Sequence, residues 1–237
     1  MNKQNNHLKL SNKKINKADN FFYRSFILHE YKAIYFILPK CACTSILATC
    51  AESIGMKFTG NFRKDNLHLL KTSQDKIFNQ YNDYLKFSFV RNPWDRVVSC
   101  YRQKIANPDP SKFPNSITKT LSKLNLYKPQ MSFEDFVKII SIIPDQKSDP
   151  HFRSQHNFMI SNQGDFFLDY VGKIENLNQD FADLSNLIGV KKFAIPHKNK
   201  SVFLANKNYA EFYTDETKAI IEKRYSIDID LFQYSFQ

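Results

Sequence analysis

A lysine and two hydroxyl residues flank a short cysteine-containing turn, a combination that can bind a phosphate group. The segment is residues 39–45 (PKCACTS), and it follows a continuous apolar run at residues 33–38 that predicts a strand buried on both faces. From Thr44 the apolar residues recur with helical spacing. A helix N-terminus favours an anion, and Lys40 adds a full positive charge. The sequence predicts a phosphate-binding turn with five candidate ligands: Lys40, Ala42, Cys43, Thr44 and Ser45.

The same turn also fits a simpler interpretation, in which it only joins a strand to a helix and a Ser or Thr hydroxyl caps that helix. It lacks the glycines of the G-x-x-x-x-G-K-[ST] pattern, and its lysine precedes the turn. It is therefore not a Walker A loop.

Residues 91–102 (RNPWDRVVSCYR) form a second candidate phosphate site. Arg91 directly follows an apolar run at residues 85–90 that predicts another strand, and Pro93 suits the first turn of a helix. An arginine can bind a phosphate through two parallel hydrogen bonds. Ser99 lies nearly two helical turns into this segment, and we expect the reversal from strand to helix to bring its hydroxyl toward Arg91.

The second segment also fits a helix with a solvated basic face. Within it, Arg96 lies one helical turn before Ser99 and is expected to support the phosphate site or to pair with a carboxylate. Trp94 and Tyr101 are expected in the hydrophobic core rather than at a ligand.

Strand, turn and helix thus occur twice in succession, which predicts an α/β fold with a central parallel sheet flanked by helices. Ligands of such sheets bind beyond the carboxyl ends of the strands. Two phosphate sites at two such ends fit a nucleotide that carries phosphates at both ends. The remaining pattern predicts a third strand at 169–174, helices at 178–187, 214–225 and from 132 to 144, and loops at 106–130 and 144–157.

Composition and charge limit the classes of protein to consider. Lys and Arg outnumber Asp and Glu by 34 to 23, a net charge of +11 that attracts polyanions such as nucleic acid, anionic membrane, acidic polysaccharide or nucleotides. The four cysteines have neither zinc-site nor disulfide spacing and are expected to be reduced thiols. We expect residues 1–25 to be a polar lead-in, residues 26–237 to be one domain, and the protein to be cytoplasmic without stable membrane insertion.

These residues resemble a known family. PKCACTSI is similar to the 5′-phosphosulfate-binding loop of sulfotransferases that use 3′-phosphoadenosine-5′-phosphosulfate (PAPS), and FSFVRNPWDRVVSCYR is similar to their 3′-phosphate-binding segment. The branch it resembles is the carbohydrate sulfotransferases that include the chondroitin and HNK-1 enzymes. Three later stretches extend the resemblance to about residues 33–236, namely 149–155 (DPHFRSQ), 169–177 (DYVGKIENL) and the C-terminal part from 197 to 236. Gln233 stands where the family often has glycine, and residues 1–25 are not expected to form the membrane anchor that is usual in the family.

The resemblance implies a P-loop-like, three-layer fold, PAPS as the cofactor and no metal. It implies transfer of a sulfuryl group to a carbohydrate hydroxyl with release of 3′,5′-ADP. Lys40 would neutralise the leaving phosphate, and Arg91 and Ser99 would hold the 3′-phosphate. The family's C-terminal loop would close over that phosphate with Lys198, Asn199, Lys200 and Ser201.

A base must remove the proton of the acceptor hydroxyl, and histidine suits this role near neutral pH. His68 and His151 are both candidates, with Glu175 as a further alternative. The partner set implied by the resemblance is a glycan or other hydroxylated acceptor, without nucleic acid.

The sequence is also compatible with three other functions. A small-molecule kinase would need ATP and Mg²⁺, and a basic nucleic-acid-binding protein would show salt-dependent binding without using PAPS. A degenerate sulfotransferase would bind the nucleotide without turnover.

Overall fold

The computed structural model describes residues 23–58, 70–72, 74–161, 163–190 and 209–237. The chain divides into two compact units. The first unit comprises Met1–Val90 and Asn157–Lys200, and the second comprises Arg91–His156 and Ser201–Gln237. The predicted division into a lead-in of residues 1–25 and one domain of 26–237 stays a prediction.

A five-stranded sheet forms the centre of the first unit. Its strands are β1 (Tyr23–Leu28), β2 (Ala33–Phe36), β3 (Leu70–Thr72), β4 (Leu85–Val90) and β5 (Tyr170–Lys173). They lie in the order β3-β1-β2-β4-β5. The strands β2, β4 and β5 are parallel, whereas β1 pairs antiparallel with both β2 and β3. The predicted strands at 33–38, 85–90 and 169–174 are confirmed, and β1 and β3 were not predicted.

Apolar packing of helices and sheet holds the first unit together. Every residue of β2 is buried, as expected for a central parallel strand. Phe89 of β4 stacks on Phe181 at 4.9 Å between ring centroids, and Gly172 makes room for it, because a β-carbon there would overlap the Phe89 ring. The predicted α/β class, with a central parallel sheet flanked by helices, is confirmed. The helices of this unit are α1 (Cys43–Ser53), α2 (Gln74–Gln80) and α6 (Leu177–Ile188).

The described part of the second unit is helical, and its core is one apolar cluster that includes Trp94, Phe136, Phe152 and Tyr225. Trp94 is therefore a core residue, as predicted. The helix that begins at Pro93 continues past Tyr101 as one π-helical turn, Arg102–Ala106. The helices are α3 (Pro93–Tyr101), α4 (Ser116–Lys123), α5 (Phe133–Ile142), α7 (Asp215–Arg224) and α8 (Ser226–Phe232).

The prediction that residues 106–130 form a loop is wrong in part, because they contain α4. Three prolines precede α4 but none lies within it. Asn115 caps it by accepting hydrogen bonds from the amides of Ile117 and Thr118 at 3.0 and 3.1 Å, and Ile117 and Leu121 are buried. Residues 144–157 are irregular, as predicted, apart from short 3₁₀ turns. None of the helices within the described ranges is long and apolar enough to cross a bilayer.

Candidate functional site

The turn between β2 and α1 has a left-handed backbone, and no side chain caps the start of the helix. Lys40 and Ala42 both have left-handed backbones, with φ of 71° and 54°. Ala42 is the N-cap residue, and no side chain caps α1. The Ala42 carbonyl accepts the first hydrogen bonds of the helix, from the amides of Ser45 and Ile46 at 2.9 and 3.1 Å. Amides at the very start of a helix have no carbonyl of an earlier helical turn to which they could donate. This end of α1 has the donors and the dipole that an anion needs.

The positive charge of this turn comes from Lys40, and Cys43 adds no negative charge beside it. Cys43 is only half-buried by surface, yet the packing around its sulfur raises the pKa of the thiol, and the nearby positive charge of Lys40 opposes that shift only in part. A protonated thiol does not compete with a bound anion for Lys40. Lys40 itself is half-buried and Thr44 is exposed, whereas the Ser45 side chain is part of the packed interior.

The turn after β4 is organised by side chains. Arg91 is buried, and its Nε and Nη2 donate to the two carboxylate oxygens of Asp95, each at 2.8 Å. Asn92 caps α3 by accepting a hydrogen bond from the Trp94 amide at 3.1 Å, with Pro93 in the first helical turn. The predicted helix start is therefore confirmed, and the guanidinium of Arg91 has a fixed orientation.

Arg96 binds main-chain carbonyls near His151. The prediction that it supports the phosphate site or pairs with Asp95 or another carboxylate stays a prediction. It is 2% exposed, and it donates to the main-chain carbonyls of Arg153 at 2.8 Å and of Pro150 at 3.1 Å. Both carbonyls belong to the segment that carries His151. Arg96 therefore stabilises the turn on which this candidate base lies.

His151 is paired with an ionised carboxylate. Its Nδ1 lies 2.6 Å from Oδ1 of Asp149, and its own amide donates to the same oxygen at 2.9 Å. Burial opposes ionisation of Asp149, but the hydrogen bonds from His151 and Ser116 outweigh it and hold the pKa of this carboxyl below its ordinary value. An ionised carboxylate only accepts hydrogen bonds, so Nδ1 carries the proton and the lone pair of a neutral His151 is at Nε2.

The predicted site residues fall into three groups. Lys40 and Ala42 lie in the turn before α1, and Cys43, Thr44 and Ser45 lie in its first turn. Arg91 lies just before α3, Ser99 lies near its end, and His151 lies in the turn supported by Arg96. Glu175 lies in the 3₁₀ turn Ile174–Asn176 after β5. Five predicted residues lie outside the described residues, namely His68, Lys198, Asn199, Lys200 and Ser201.

Besides Asp95, the side chains of Asp149 and Gln155 contact the candidate site without having been assigned a role from the sequence. Asp149 orients His151, and its position two residues before a histidine was the available signal. Gln155 contacts the main chain of Arg91 from 64 positions away in the chain, a pairing for which the local pattern gives no signal.

The fold and the two turns define a class of protein. Helices that begin directly after parallel strands, with cationic side chains in the intervening turns, form phosphate-binding sites in α/β proteins. The sulfotransferase family matches residues 23–235, nearly the whole chain. The chain belongs to the sulfotransferase family.

The similar proteins among curated sequences are carbohydrate sulfotransferases. Carbohydrate sulfotransferase 11 of Rattus norvegicus is 25% identical over 232 residues, covering 87% of this chain and 65% of the relative. Carbohydrate sulfotransferase 14 of Danio rerio is 24% identical over 223 residues, covering 86% and 60%. The human carbohydrate sulfotransferase 14 is 31% identical over 81 residues, covering 32% and 22%.

The chain thus spans about 65% of the length of the rat relative. No solved structure matches the chain. The predicted resemblance to the carbohydrate branch is confirmed, and the comparisons support neither a kinase nor a nucleic-acid-binding protein.

Proposed function

We propose that this protein is a PAPS-dependent sulfotransferase that transfers a sulfuryl group to a hydroxyl of a carbohydrate acceptor and releases 3′,5′-ADP. The observation that carries the proposal is the family match over residues 23–235, which includes both candidate phosphate-binding turns. The names of the similar proteins favour a carbohydrate acceptor. The excess of 11 positive charges would favour binding of a nucleotide and of an acidic acceptor.

The residues after β2 fit the 5′ end of PAPS. Lys40 and Ala42 have left-handed backbones, α1 has no side-chain cap, and the neutral Cys43 adds no negative charge to the turn. When bound, PAPS supplies an activated sulfuryl group on a phosphate that can depart. Lys40, the loop amides and Thr44 would hold that phosphate and would stabilise negative charge on it.

Arg91 and Ser99 are proposed to bind the 3′-phosphate. The Asp95 carboxylate holds the planar guanidinium in one orientation, which supports bidentate binding of two phosphate oxygens. β2 and β4 are parallel neighbours, so the chain leaves both strands at the same edge of the sheet. We propose that Lys198, Asn199, Lys200 and Ser201 contribute to the same phosphate.

His151 is proposed as the general base, with His68 and Glu175 as the alternatives. Asp149 holds the proton on Nδ1, so Nε2 accepts the proton of the acceptor hydroxyl. The imidazolium that forms is stabilised by the adjacent carboxylate, which is already ionised.

We also propose that the protein works in the cytoplasm. All four cysteines are free thiols, and Cys41, Cys50 and Cys100 are fully buried. Free thiols are typical of proteins from reducing compartments.

Nucleotide binding tests the assignment of the 3′-phosphate. Isothermal titration with 3′,5′-ADP and 5′-ADP is expected to show clear preference for the former, because only it carries the group that Arg91 binds. Arg91→Ala is expected to lose that preference. Arg102→Ala is the control and is expected to keep it, because Arg102 is an exposed arginine that lies over the Phe212 ring. Equal affinity for both nucleotides in the unaltered protein would overturn the proposal.

Transfer assays test the activity and the base. Mass-detected transfer from PAPS to a panel of glycans is expected to give a sulfated product. His151→Ala is expected to lower kcat on the order of 10²-fold, as for other general bases. His29→Ala is a matched control, because His29 is an exposed histidine that contacts Tyr84 in the first unit. If His68→Ala loses activity and His151→Ala does not, the base is His68.

A further inference from the structure

We propose that Gln155 is a positioning residue for Arg91 and that Asp228 is a positioning residue for Gln155. This inference rests on the proposed function in one respect, namely that Arg91 binds the 3′-phosphate. All of these residues belong to the second unit.

Gln155 binds both main-chain polar groups of Arg91. Its Oε1 accepts a hydrogen bond from the Arg91 amide at 3.0 Å, and its Nε2 donates to the Arg91 carbonyl at 2.8 Å. A single side chain thus makes the pair of bonds that a neighbouring strand would make. Gln155 is completely buried, so solvent does not compete for these bonds. The pair fixes the backbone of Arg91 and the direction in which its side chain leaves the chain.

Asp228 of α8 holds the segment that carries Gln155. Its carboxylate accepts hydrogen bonds from the amides of Gln155 at 2.7 Å and His156 at 2.9 Å, and from Nδ1 of His156 at 2.6 Å. Asp228 is completely buried, a costly location for a charge unless several donors surround it. Burial opposes its ionisation, but the charge of His156 and these donors hold the pKa of Asp228 below its ordinary value.

Arg91 is consequently fixed at two levels. Gln155 holds its main chain, and Asp95 holds its guanidinium through two bonds of 2.8 Å. A shift of the main chain would carry the guanidinium away from its binding geometry even with Asp95 intact. Misplacement of a binding group by about 1 Å can lower a rate or affinity by up to about 10²-fold.

A purely structural role for Gln155 predicts a different result from a positioning role. Loss of general stability lowers the affinity for every nucleotide alike or only lowers the melting temperature. Displacement of Arg91 lowers the affinity for nucleotides that carry a 3′-phosphate and spares those that lack it. The ratio of the two affinities therefore separates the roles.

The experiment measures Kd for 3′,5′-ADP and for 5′-AMP by isothermal titration on the full chain. Gln155→Leu removes both bonds to Arg91 at similar volume and is expected to lower the preference for 3′,5′-ADP by about tenfold or more. Asp228→Asn is expected to lower it by a smaller factor, since Gln155 remains. Tyr225→Phe is the matched control, because it removes a buried bond of 2.5 Å to the Phe152 carbonyl in the same segment and is expected to leave the ratio unchanged.

The outcomes distinguish this inference from the proposed function. If Arg91→Ala keeps the preference for 3′,5′-ADP, the role of Arg91 itself is wrong. If Arg91→Ala loses the preference and folded Gln155→Leu retains it, the positioning role is overturned. Should Gln155→Leu not fold, Gln155→Met removes both bonds to Arg91 with an unbranched side chain of similar length. An unchanged preference in that variant likewise overturns the inference.

Discussion

The turns that follow β2 and β4, which we propose as the two phosphate sites, are built in opposite ways. After β2, the chain uses left-handed backbone at Lys40 and Ala42 and leaves the start of α1 without a side-chain cap. After β4, Asn92 caps α3 and the charged group, Arg91, is held by other side chains. The first turn offers backbone amides and one lysine, and the second offers a single oriented guanidinium.

The two turns differ in the free energy that their structure costs and in the phosphate group that each is proposed to bind. A non-glycine residue in the left-handed region costs about 1 kcal/mol, so the first turn stores strain in the backbone. The second turn instead needs buried hydrogen bonds from distant parts of the chain. Backbone amides in fixed positions can stabilise charge that develops on a phosphate group during a reaction. An arginine in one orientation suits a phosphate that only has to be bound.

Lys40→Ala should have the largest effect and would sharpen the comparison most. The lysine is proposed to stabilise charge that grows only in the transition state, so kcat is expected to fall on the order of 10²–10³-fold. The affinity for 3′,5′-ADP should change much less. Steady-state kinetics with PAPS and titration with 3′,5′-ADP measure the two quantities, and Lys40→Arg serves as the charge-conserving control. Equal losses in kcat/KM and affinity would show that Lys40 only contributes uniform binding.

Asn92→Ala tests the dependence of the second turn on side chains. Asn92 caps α3 and donates to the Ser235 carbonyl at 2.9 Å, so its loss is expected to lower the free energy of unfolding by about 2 kcal/mol. Urea denaturation measures this change. Asn176→Ala is the matched control, because Asn176 is the N-cap of α6 but makes no capping bond with its side chain. Similar losses in both variants would contradict the importance of the Asn92 contacts.

Asp149→Asn tests whether acid affects the region around the second turn and not the first. The pKa of Asp149 lies below its ordinary value of 3.8 in the folded protein, so this carboxylate stabilises the fold at higher pH. That stabilisation is lost as the pH falls through the folded pKa.

The asparagine variant should therefore be less stable near neutral pH and show a flatter loss of stability in acid. Unfolding free energies measured from about pH 5 downward check this. Cys43→Ser is the control from the first turn, because burial raises the pKa of the Cys43 thiol and leaves it neutral throughout this range. A Cys43→Ser curve that flattens like that of Asp149→Asn would argue against the difference.

Ala42→Gly should have the smallest effect, and its sign is informative. Glycine relieves the left-handed strain at Ala42 but gives the unfolded chain more freedom, so a net stabilisation of about 0.5 kcal/mol is expected. Ala51→Gly, inside the same helix and buried, should instead destabilise by about 1 kcal/mol. Thermal unfolding compares the two, and a destabilisation by Ala42→Gly would remove the argument for stored strain.

Local patterns sufficed to predict the elements on both sides of each turn. The apolar runs before Lys40 and Arg91 and the proline at position 93 are signals that neighbouring residues carry, and β2, α1, β4 and α3 lie where they were predicted. The strand β1 was missed because it begins within the predicted polar lead-in, at Tyr23. Helix α4 was not predicted because the prolines just before it are typical of a loop, and the loop pattern does not show where the helix begins.

By itself, the sequence determined which residues lie at the two strand ends and predicted phosphate-binding chemistry there, because side-chain type and helix position depend on adjacent residues. Only the tertiary structure decided which partners hold that chemistry in place. Gln155 meets Arg91, and Asp228 meets the Gln155 amide, across 64 and 73 positions of the chain. Such pairs form because buried polar groups need hydrogen-bond partners, and those partners can come from any part of the chain. No local sequence pattern shows which partner a given group has.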